Sequence, residues 1–385
     1  MTTVASVEPY QVGGKQRYRA RWRTPEHKSR EKGGFTTKEA AKLFLADKVV
    51  SMARGDYIDT SLSKVTIGER AGAWLAGKES ALKPSAFYAL EITWRLHVEP
   101  RWGSVALQAV EHSEVQAWVA ELAARRSATV TLRAYGILAG ILDVAVKDRR
   151  VTRNVARDVD LPRKRKKAHV YLTHEQVDAL AREAGQYATL VRVLAYTGIR
   201  WGEASGLRVK HLDMLRGRLQ VDENAVKVGT EVIVGSPKSH RVRSVPFPRF
   251  LAESLARQCE GKTREQLVFG DGHNHITTPS WRDGWFVYAK RRSGVPAELT
   301  IHDLRHTAAS LAIAAGANVK AVQRMLGHAS AAMTLDVYGH LFDDDLDAVS
   351  AALDEAVRVS SVGDLWAIGD SGTSETSAIP VIARK

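Results

Sequence analysis

The sequence has 385 residues, which is too long for one ordinary hydrophobic core and predicts two or three domains. Hydrophobic residues make up 44% of the chain and charged residues 26%, so wholesale disorder is excluded. The 56 Lys and Arg residues exceed the 43 Asp and Glu residues, which gives a formal net charge of +13. This excess favours a polyanionic partner, either nucleic acid or an anionic membrane surface. The single cysteine, Cys259, excludes an intramolecular disulfide framework and fits a reducing compartment.

The amino terminus carries no sign of a targeting segment. Its first eight residues contain neither the basic region nor the apolar region of a secretory signal. No stretch approaches the ~18 uninterrupted apolar residues that indicate a membrane-spanning helix. We therefore expect neither secretion nor membrane spanning, and a protein of the cytoplasm.

Residues 1–60 predict a small sheet followed by one helix. Polar and apolar residues alternate along 17–23, the period of a strand with one packed face, and Ala20 and Trp22 fall on that face. Thr36 and Glu39 have the spacing of a capping box that opens the helix. The other strand face carries four arginines with no interleaved acid; it is either a solvated surface or a face whose mutual repulsion a DNA backbone would relieve. These residues are Arg17, Arg19, Arg21 and Arg23.

Residues 64–160 predict an all-helical domain. Thr66 and Glu69 form a second capping box, and Ser85 is a candidate cap for the next helix. Apolar residues then recur at helical spacing, as at Trp118, Val119 and further along the chain, and they indicate core stripes rather than functional aromatics.

Residues 161–169 predict an exposed linker between two globular parts. A proline is followed by five basic residues that repel one another and resist burial. The run could simply solubilise the protein, or it could lie along DNA as one strand of a clamp, which the overall charge favours. Its residues are Arg163, Lys164, Arg165, Lys166 and Lys167.

Residues 170–357 alternate between helical and strand-like stretches and predict a helix-rich α+β domain. Residues 219–221, 231–234 and 241–245 suggest one small antiparallel sheet. Beyond it, residues 358–385 are rich in Gly, Ser and Thr and predict a mobile tail, which either stays disordered or docks on a neighbouring subunit. The predicted fold class is therefore multidomain and mainly α, with small β-sheets.

Polar residues that could carry chemistry cluster in the last half of the chain. An Arg follows a glycine break and precedes a Glu by three residues, a Lys sits between two strand-like runs, and a His and an Arg lie one helical turn apart. Each is commonplace alone, but together their order and spacing resemble the tyrosine recombinase (phage integrase) family. The matching positions are Arg200, Lys238, His302, Arg305, His328 and Tyr338, with Glu203 beside the first.

The resemblance is strong over residues 170–345 and implies the fold of each part. Residues 170–357 resemble the family's α+β catalytic domain, and 64–160 resemble its helical SAM-like core-binding domain. Residues 1–60 resemble the amino-terminal arm-binding domain of lambda-type integrases. The last two assignments depend on pattern and order rather than on motifs.

These residue types are the ones that an enzyme needs to cleave a DNA phosphodiester without a metal ion. Arg200 and Arg305 can grip the nonbridging oxygens bidentately, as lysines cannot. Tyr338 supplies a phenol nucleophile, and we expect its cationic neighbours to favour the phenolate. By resemblance, Tyr338 attacks the scissile phosphate and forms a 3′-phosphotyrosyl link, which conserves bond energy for rejoining.

The remaining candidates serve proton transfer and positioning. Lys238 is the expected general acid for the 5′ oxygen, and Glu203 is expected to orient Arg200. His302 and His328 would hydrogen-bond the phosphate or shuttle protons, and we expect both to titrate near neutrality. A zinc site that uses His302 and His306 at i, i+4 spacing is the competing interpretation. The intervening Arg305 argues against it, so we expect no metal and no cofactor.

The sequence thus predicts a site-specific recombinase that integrates and excises phage or prophage DNA at attachment sites in a bacterial host cell. The expected partners are double-stranded DNA with arm-type and core-type sites, three further copies in a tetramer, an accessory bending protein and an excisionase. The alternatives are a catalytically silent DNA-binding regulator of the same fold and a transposon or chromosome-resolution recombinase.

Overall fold

In the computed structural model the chain divides into two units, formed by residues 1–167 with 228–231 and by 168–227 with 232–385. Each unit has hydrophobic cores of its own. The division after residue 167 falls within the predicted linker. The structure describes residues 5–25, 27–54, 57–58, 62–164, 168–235, 242–342 and 349–358.

The chain begins with a three-stranded antiparallel sheet and one helix. Strands β1 (Ser6–Val12), β2 (Lys15–Arg23) and β3 (Ser29–Phe35) pair in sequence order, and α1 (Lys38–Ala53) follows. The alternation along β2 has the predicted effect. Ala20 and Trp22 are buried in a small core against α1, where the indole Nε1–H donates to Tyr57 Oη at 2.9 Å.

The arginine face of β2 has acidic neighbours on the adjacent strands, although no acid is interleaved among its four arginines within β2 itself. The register places Glu8 of β1 opposite Arg19 and Glu31 of β3 opposite Arg21. Arg21 Nε lies 3.0 Å from Glu31 and its Nη1 3.2 Å from Glu8, while Arg19 Nε lies 3.4 Å from Glu8. The acids come from the neighbouring strands, which a pattern within one strand cannot show.

Of the three helix caps predicted in the first unit, one is present as predicted and two are not. Thr37, and not Thr36, caps α1 by accepting from the backbone N–H of Ala40. The Thr66 and Glu69 capping box is present as predicted. Ser85 is not a cap, because Pro84 already occupies the first position of its helix, where a missing N–H costs nothing.

The rest of the first unit is helical, as predicted. Its longest helix is long and apolar enough to cross a membrane by length and composition, but much of that helix is buried in the centre of the helical core. Trp118 and Val119 pack into the same core. The helices are α2 (Ile67–Ala81), α3 (Pro84–Thr93), α4 (Glu99–Trp102), α5 (His112–Arg125) and α6 (Ala128–Lys147), with a π-helical turn at Trp94–Val98.

The second unit is a helical domain with short strands, which agrees with the predicted α+β class. Its large core holds the half-buried Cys259, whose thiol pKa burial raises. Residues 349–358 are helical and exposed. The numbered helices are α7 (His174–Glu183), α8 (Ala188–Thr197), α9 (Trp201–Ser205), α10 (Ala252–Cys259), α11 (Trp285–Ser293), α12 (Asp303–Ala314), α13 (Val319–Leu326) and α14 (Ala331–Tyr338).

The prediction of one sheet in this unit is wrong, since the strands form two. Strands β4 (Leu212–Asp213), β5 (Arg218–Val221) and β8 (Arg243–Pro246) make an antiparallel sheet in the order β4-β5-β8. Strands β6 (Asn224–Val228) and β7 (Glu231–Gly235) form a separate hairpin. Gly229 turns this hairpin at a φ of 63°, a left-handed value that favours glycine. Because of this turn, β7 pairs with β6 and does not join the sheet of β5 and β8.

Candidate active site

Arg200 lies in the turn between α8 and α9. Gly198 ends α8 with a φ of 66°, and a Cβ at this position would lie only 2.7 Å from the Leu326 side chain. Glycine is therefore needed both for the turn and for close packing. The Arg200 backbone N–H donates to Glu203 Oε2 at 2.8 Å, and its Nη1 donates to Oε1 at 2.9 Å. The contact with Glu203 that the spacing predicts is present.

Arg305 lies in the first turn of α12 and is only 4% exposed. Its Nη1 donates to the Gly198 carbonyl at 2.5 Å, and its Nη2 donates to the Leu326 carbonyl at 2.6 Å. These carbonyls close α8 and α13, where a helix leaves acceptors unpaired and its dipole favours a cation. Burial, and then the charge of Arg200, lowers the Arg305 pKa to about 9, so its guanidinium stays protonated at neutral pH.

Arg243 on β8 belongs to the same cluster, although the sequence analysis did not select it. Its Nη1 and Nη2 donate to the two carboxylate oxygens of Glu203 at 3.0 and 2.6 Å. Its Nε donates to the Met325 carbonyl near the end of α13. An arginine on a short strand is ordinary in sequence, so no local signal marks it; only the fold brings it to Glu203.

The cluster holds more positive charge than its buried acid balances. The Glu203 side chain is fully buried, which alone would raise its pKa, but the hydrogen bonds and charges of Arg243 and Arg200 hold the pKa below its usual range. One carboxylate therefore faces three guanidinium groups, those of Arg200, Arg243 and Arg305. A site of this kind is built for an anion, and planar guanidinium groups suit the oxygens of a phosphate.

Two of the predicted histidines lie beside this cluster. His302 is the N-cap of α12, and His328 follows the left-handed Gly327 at the end of α13, where its Nδ1 lies 3.0 Å from Thr334 Oγ1. Burial, and then Arg305, lowers the pKa of both rings, and that of His328 falls to about 4. The expectation that His328 titrates near neutrality is therefore wrong, because burial and then the nearby arginines disfavour its charged form, and the same causes shift the pKa of His302 below its ordinary value.

Tyr338 is the last residue of α14 and is only 1% exposed. It packs in the small core of α12, α13 and α14, with its ring 6.4 Å from the His328 ring and nearly parallel to it. Burial raises its pKa to about 12, and the opposing charge of Arg305 is the smaller effect. The charge of Arg305 favours the phenolate, as expected, but burial outweighs it, so the net effect is that the phenol keeps its proton.

The Tyr338 hydroxyl forms a hydrogen bond with His306, another residue not assigned to the predicted site. The distance from Tyr338 Oη to His306 Nδ1 is 2.7 Å. From its spacing to His302, His306 was expected only as a possible zinc ligand. The position of His306 immediately after Arg305 was the one sign in the sequence that it could belong to the site. Its partner Tyr338 lies 32 residues further along the chain, so local spacing could not predict their contact.

Several predicted basic residues fall outside the part of the chain that the structure describes. These include Lys238, the expected general acid, which lies between β7 and β8. Arg163 and Lys164 are described and exposed, whereas the rest of the linker run is not described. The residues of the linker run that are not described are Arg165, Lys166 and Lys167.

Among the residues that the structure describes, two groups of side chains have donor atoms close enough for a metal ion. One comprises His169, Asp303 and His306, whose donor atoms lie within 4.8 Å of one another, so His306 does not group with His302 as the zinc interpretation supposed. The charge of Arg305 reaches His306 and disfavours a cation there. The second group comprises His211, Asp222 and Glu223. Glu223 already accepts from Arg208 Nε at 3.0 Å.

Comparison with known proteins gives this geometry a family. Residues 170–344 match the profile of the phage integrase family. The integrase of Mycobacterium phage L5 is 29% identical over 312 residues, which cover 77% of this chain and 81% of that protein. The integrase of Mycobacterium phage D29 is 27% identical over 282 residues, 71% of this chain and 74% of that protein.

Solved structures show the same fold at lower identity. The Tn1549 transposon integrase in complex with transposon right end DNA superposes with a TM-score of 0.59 at 21% identity, over 75% of this chain and 100% of that chain. A lambda integrase dimer bound to a core site gives a TM-score of 0.56 at 16% identity, over 88% of this chain and 95% of that chain. Taken together, the match of residues 170–344 to the phage integrase family and the phage and prophage relatives support a site-specific recombinase of the phage or prophage integrase type.

Proposed function

We propose that the chain cleaves and rejoins DNA at the cluster of Arg200, Arg305 and Tyr338, through a covalent phosphotyrosine. The observation that carries this proposal is the excess positive charge around the buried Glu203, next to a buried phenol. A phosphodiester supplies the missing negative charge. Its oxygens could accept from the N–H groups of Arg200 and Arg305 that their bonds to Glu203 and to the backbone carbonyls do not use. These preorganised donors would stabilise the additional charge of the transition state.

In the proposed cleavage step, Tyr338 Oη forms a bond to phosphorus and the bond to the 5′ oxygen breaks. The product is a 3′-phosphotyrosyl link and a free 5′-hydroxyl. Rejoining is the reverse attack by a 5′-hydroxyl, and it needs no nucleotide because the phosphotyrosine conserves the bond energy. His302 and His328 are neutral at pH 7 by the direction of their pKa shifts, so they would act as hydrogen-bonding groups on the phosphate.

Lys238 stays the proposed general acid for the 5′ oxygen. It precedes β8, and Arg243 ties β8 to Glu203 and to the end of α13. A strand anchored in this way supports a preceding lysine that approaches the same phosphate. Glu203 is then a positioning residue for both Arg200 and Arg243.

We further propose the biological setting that the relatives suggest. The substrate is double-stranded DNA with core-type and arm-type attachment sites, and the protein acts as a tetramer in the cytoplasm of a bacterial host. Lambda integrase has been seen as a tetramer bound to a Holliday junction. Residues 170–357 would form the catalytic domain, 64–160 the core-binding domain and 1–60 the arm-binding domain. An accessory bending protein and an excisionase would set the direction.

A nicked suicide substrate tests the chemistry. Cleavage near the nick releases a short strand and traps the covalent protein–DNA adduct, which denaturing electrophoresis separates. The parent protein should accumulate the adduct, and Tyr338→Phe should form none while it keeps its fold and its DNA affinity. Adduct formation by Tyr338→Phe would overturn the nucleophile assignment. An inactive parent that binds DNA normally would favour the silent regulator.

The metal alternative has its own test. The group of His169, Asp303 and His306 is the place where a catalytic ion would lie beside Tyr338. Cleavage in excess EDTA should equal cleavage without the chelator. A loss that zinc or magnesium restores would replace the phosphotyrosine mechanism with a metal-dependent one.

A further inference from the structure

The nucleophile of the proposed reaction must lose a proton, and the fold supplies a specific neighbour for that proton. Tyr338 Oη lies 2.7 Å from His306 Nδ1, which is normal hydrogen-bond geometry. Both side chains are buried, and His306 projects from α12 toward the end of α14. The phenol is therefore held by a group that can accept a proton.

The pair starts in the protonation states that such a transfer needs, and the gap between the two pKa values means that the proton moves only when another group raises the basicity of His306. Burial, and then the neighbouring His169 and His302, lowers the pKa of His306 to about 4, so the imidazole is neutral at pH 7. Burial raises the pKa of Tyr338 to about 12, so the phenol keeps its proton until attack. The neutral tautomer that carries its proton on Nε2 leaves Nδ1 as the acceptor for the phenol O–H at this distance.

The surroundings of His306 prepare it to become an imidazolium only when an anion is bound. The buried Asp303 carboxylate is close to the ring and favours its charged form, whereas His169, His302 and Arg305 disfavour it. A phosphodiester between Arg200 and Arg305 adds a negative charge beside these groups. The affinity of His306 for a proton then rises at the moment when Tyr338 has a phosphate to attack.

On this basis we propose that His306 is a catalytic residue, the general base that takes the Tyr338 proton during cleavage and returns it during rejoining. As the Oη–P bond forms, the phenol proton moves to His306 Nδ1. The bond from phosphorus to the 5′ oxygen breaks, and that oxygen receives its proton from the general acid. Rejoining reverses each transfer. The inference rests on the proposed role of Tyr338 as the nucleophile.

The rival interpretation is that His306 only holds the hydroxyl in place, and His306→Asn separates the two. An Asn side chain presents an acceptor close to the position of Nδ1 but cannot take the proton. Loss of a general base slows a reaction by about 100- to 10,000-fold. We therefore expect His306→Asn and His306→Ala alike to form the suicide-substrate adduct at least about 100-fold more slowly than the parent. His340→Asn, an exposed histidine two residues after the nucleophile, is the matched control and should cleave normally.

A change in the phenol itself provides the second arm. Fluorinated tyrosine at position 338 has a lower pKa and depends less on a base, so it should shrink the defect of His306→Asn by about tenfold or more. Near-parent cleavage by His306→Asn, or a defect that fluorination leaves unchanged, would overturn the base role. Tyr338→Phe is measured in the same assay. If Tyr338→Phe forms the adduct, the proposed function is wrong. If it forms none, a negative result for the His306 variants counts only against the base role of His306. Thermal unfolding and DNA binding verify that each variant is folded.

Discussion

Arginines carry most of the suggested function in two regions of this molecule, and they are held in opposite ways. In the second unit, Arg243 and Arg305 are largely buried, and both bind carbonyls or a carboxylate that fix their guanidinium groups. On β2, Arg19 and Arg21 remain a third to a half exposed and share two acids with the neighbouring strands. Burial fixes the direction of the guanidinium donors, as the proposed phosphate site requires, whereas the interactions of an exposed arginine are weakened by salt.

The largest change is expected for Glu203→Gln, which removes the one carboxylate from the buried cluster. Arg200 and Arg243 would then face each other and Arg305 without compensation. Breaking a buried ion pair typically costs about 3–5 kcal/mol, so the free energy of unfolding of the second unit should fall by that order. Urea denaturation measures it.

The exposed pair of Glu253 and Arg257 is the matched control for Glu203→Gln. Both side chains are more than 70% exposed and lie at i, i+4 on α10. Glu253→Gln should lower the free energy of unfolding by less than about 1 kcal/mol. Equal losses in the two variants would contradict the contrast between buried and exposed pairs.

Next in size is the effect of Arg305→Lys on catalysis. Lysine keeps the charge but cannot hold the Gly198 and Leu326 carbonyls and a phosphate with one planar fork. Loss of one preorganised donor typically slows a reaction by about 100- to 1,000-fold, and we expect this loss in adduct formation. DNA affinity should change by only a few-fold.

The control for Arg305→Lys is Arg292→Lys, since Arg292 is an exposed arginine paired with Glu183. It should cleave like the parent. If Arg305→Lys folded normally but failed to bind core-site DNA, the residue would be a general DNA contact and not a donor to the reacting phosphate.

The order and spacing of residues along the sequence predicted most members of the candidate site, but the contacts between them could be predicted only where the partners are close in sequence. Arg200 and Glu203 lie three residues apart, and the fold realises their contact directly. Arg243 and His306 escaped because their partners lie 40 and 32 residues away and are brought close by the packing of β8 and α14. Burial also reversed the expected behaviour of Tyr338, since desolvation outweighs the nearby cations.

The fold shows the same division between local and long-range information. The alternation along β2, the helical core stripes and the capping box at Thr66 were all correctly predicted from short windows. The sheet of the second unit was not, because pairing of β5 with β8 skips the intervening hairpin. Strand order depends on contacts across that hairpin, and periodicity carries no information about them.

The dependence of stability on pH is a third and smaller test of the buried cluster. The folded-state pKa values of His306 and His328 are about 4, below the ordinary value of 6.5. Between these limits the unfolded chain binds more protons, so stability is fully present above about pH 6.5 and falls as the pH drops toward 4. The thermal midpoint of the second unit should decline over that window. A His306→Asn, His328→Asn double variant should decline less, and an equal decline would exclude these rings as the cause.

The smallest effects are expected at the arginine face of β2, and they test whether it binds DNA at all. Because Glu8 and Glu31 screen Arg19 and Arg21, replacing both acids with glutamine should tighten binding to arm-site DNA and steepen its salt dependence. Arg21→Ala should do the opposite, weakening binding about equally across sequences and lowering the salt slope by about one.

The free energy of unfolding should move by less than about 1 kcal/mol in each β2-face variant, since these pairs are exposed. Core-site cleavage should stay at the parent rate in both, because the proposed phosphate site of Arg200 and Arg305 belongs to the second unit. If the salt dependence of arm-site binding were identical in all three proteins, the β2 face would be a solvated surface. The arginine cluster of the second unit would then be the proposed phosphate site, and the arginines of β2 would serve only to keep the surface of the first unit solvated.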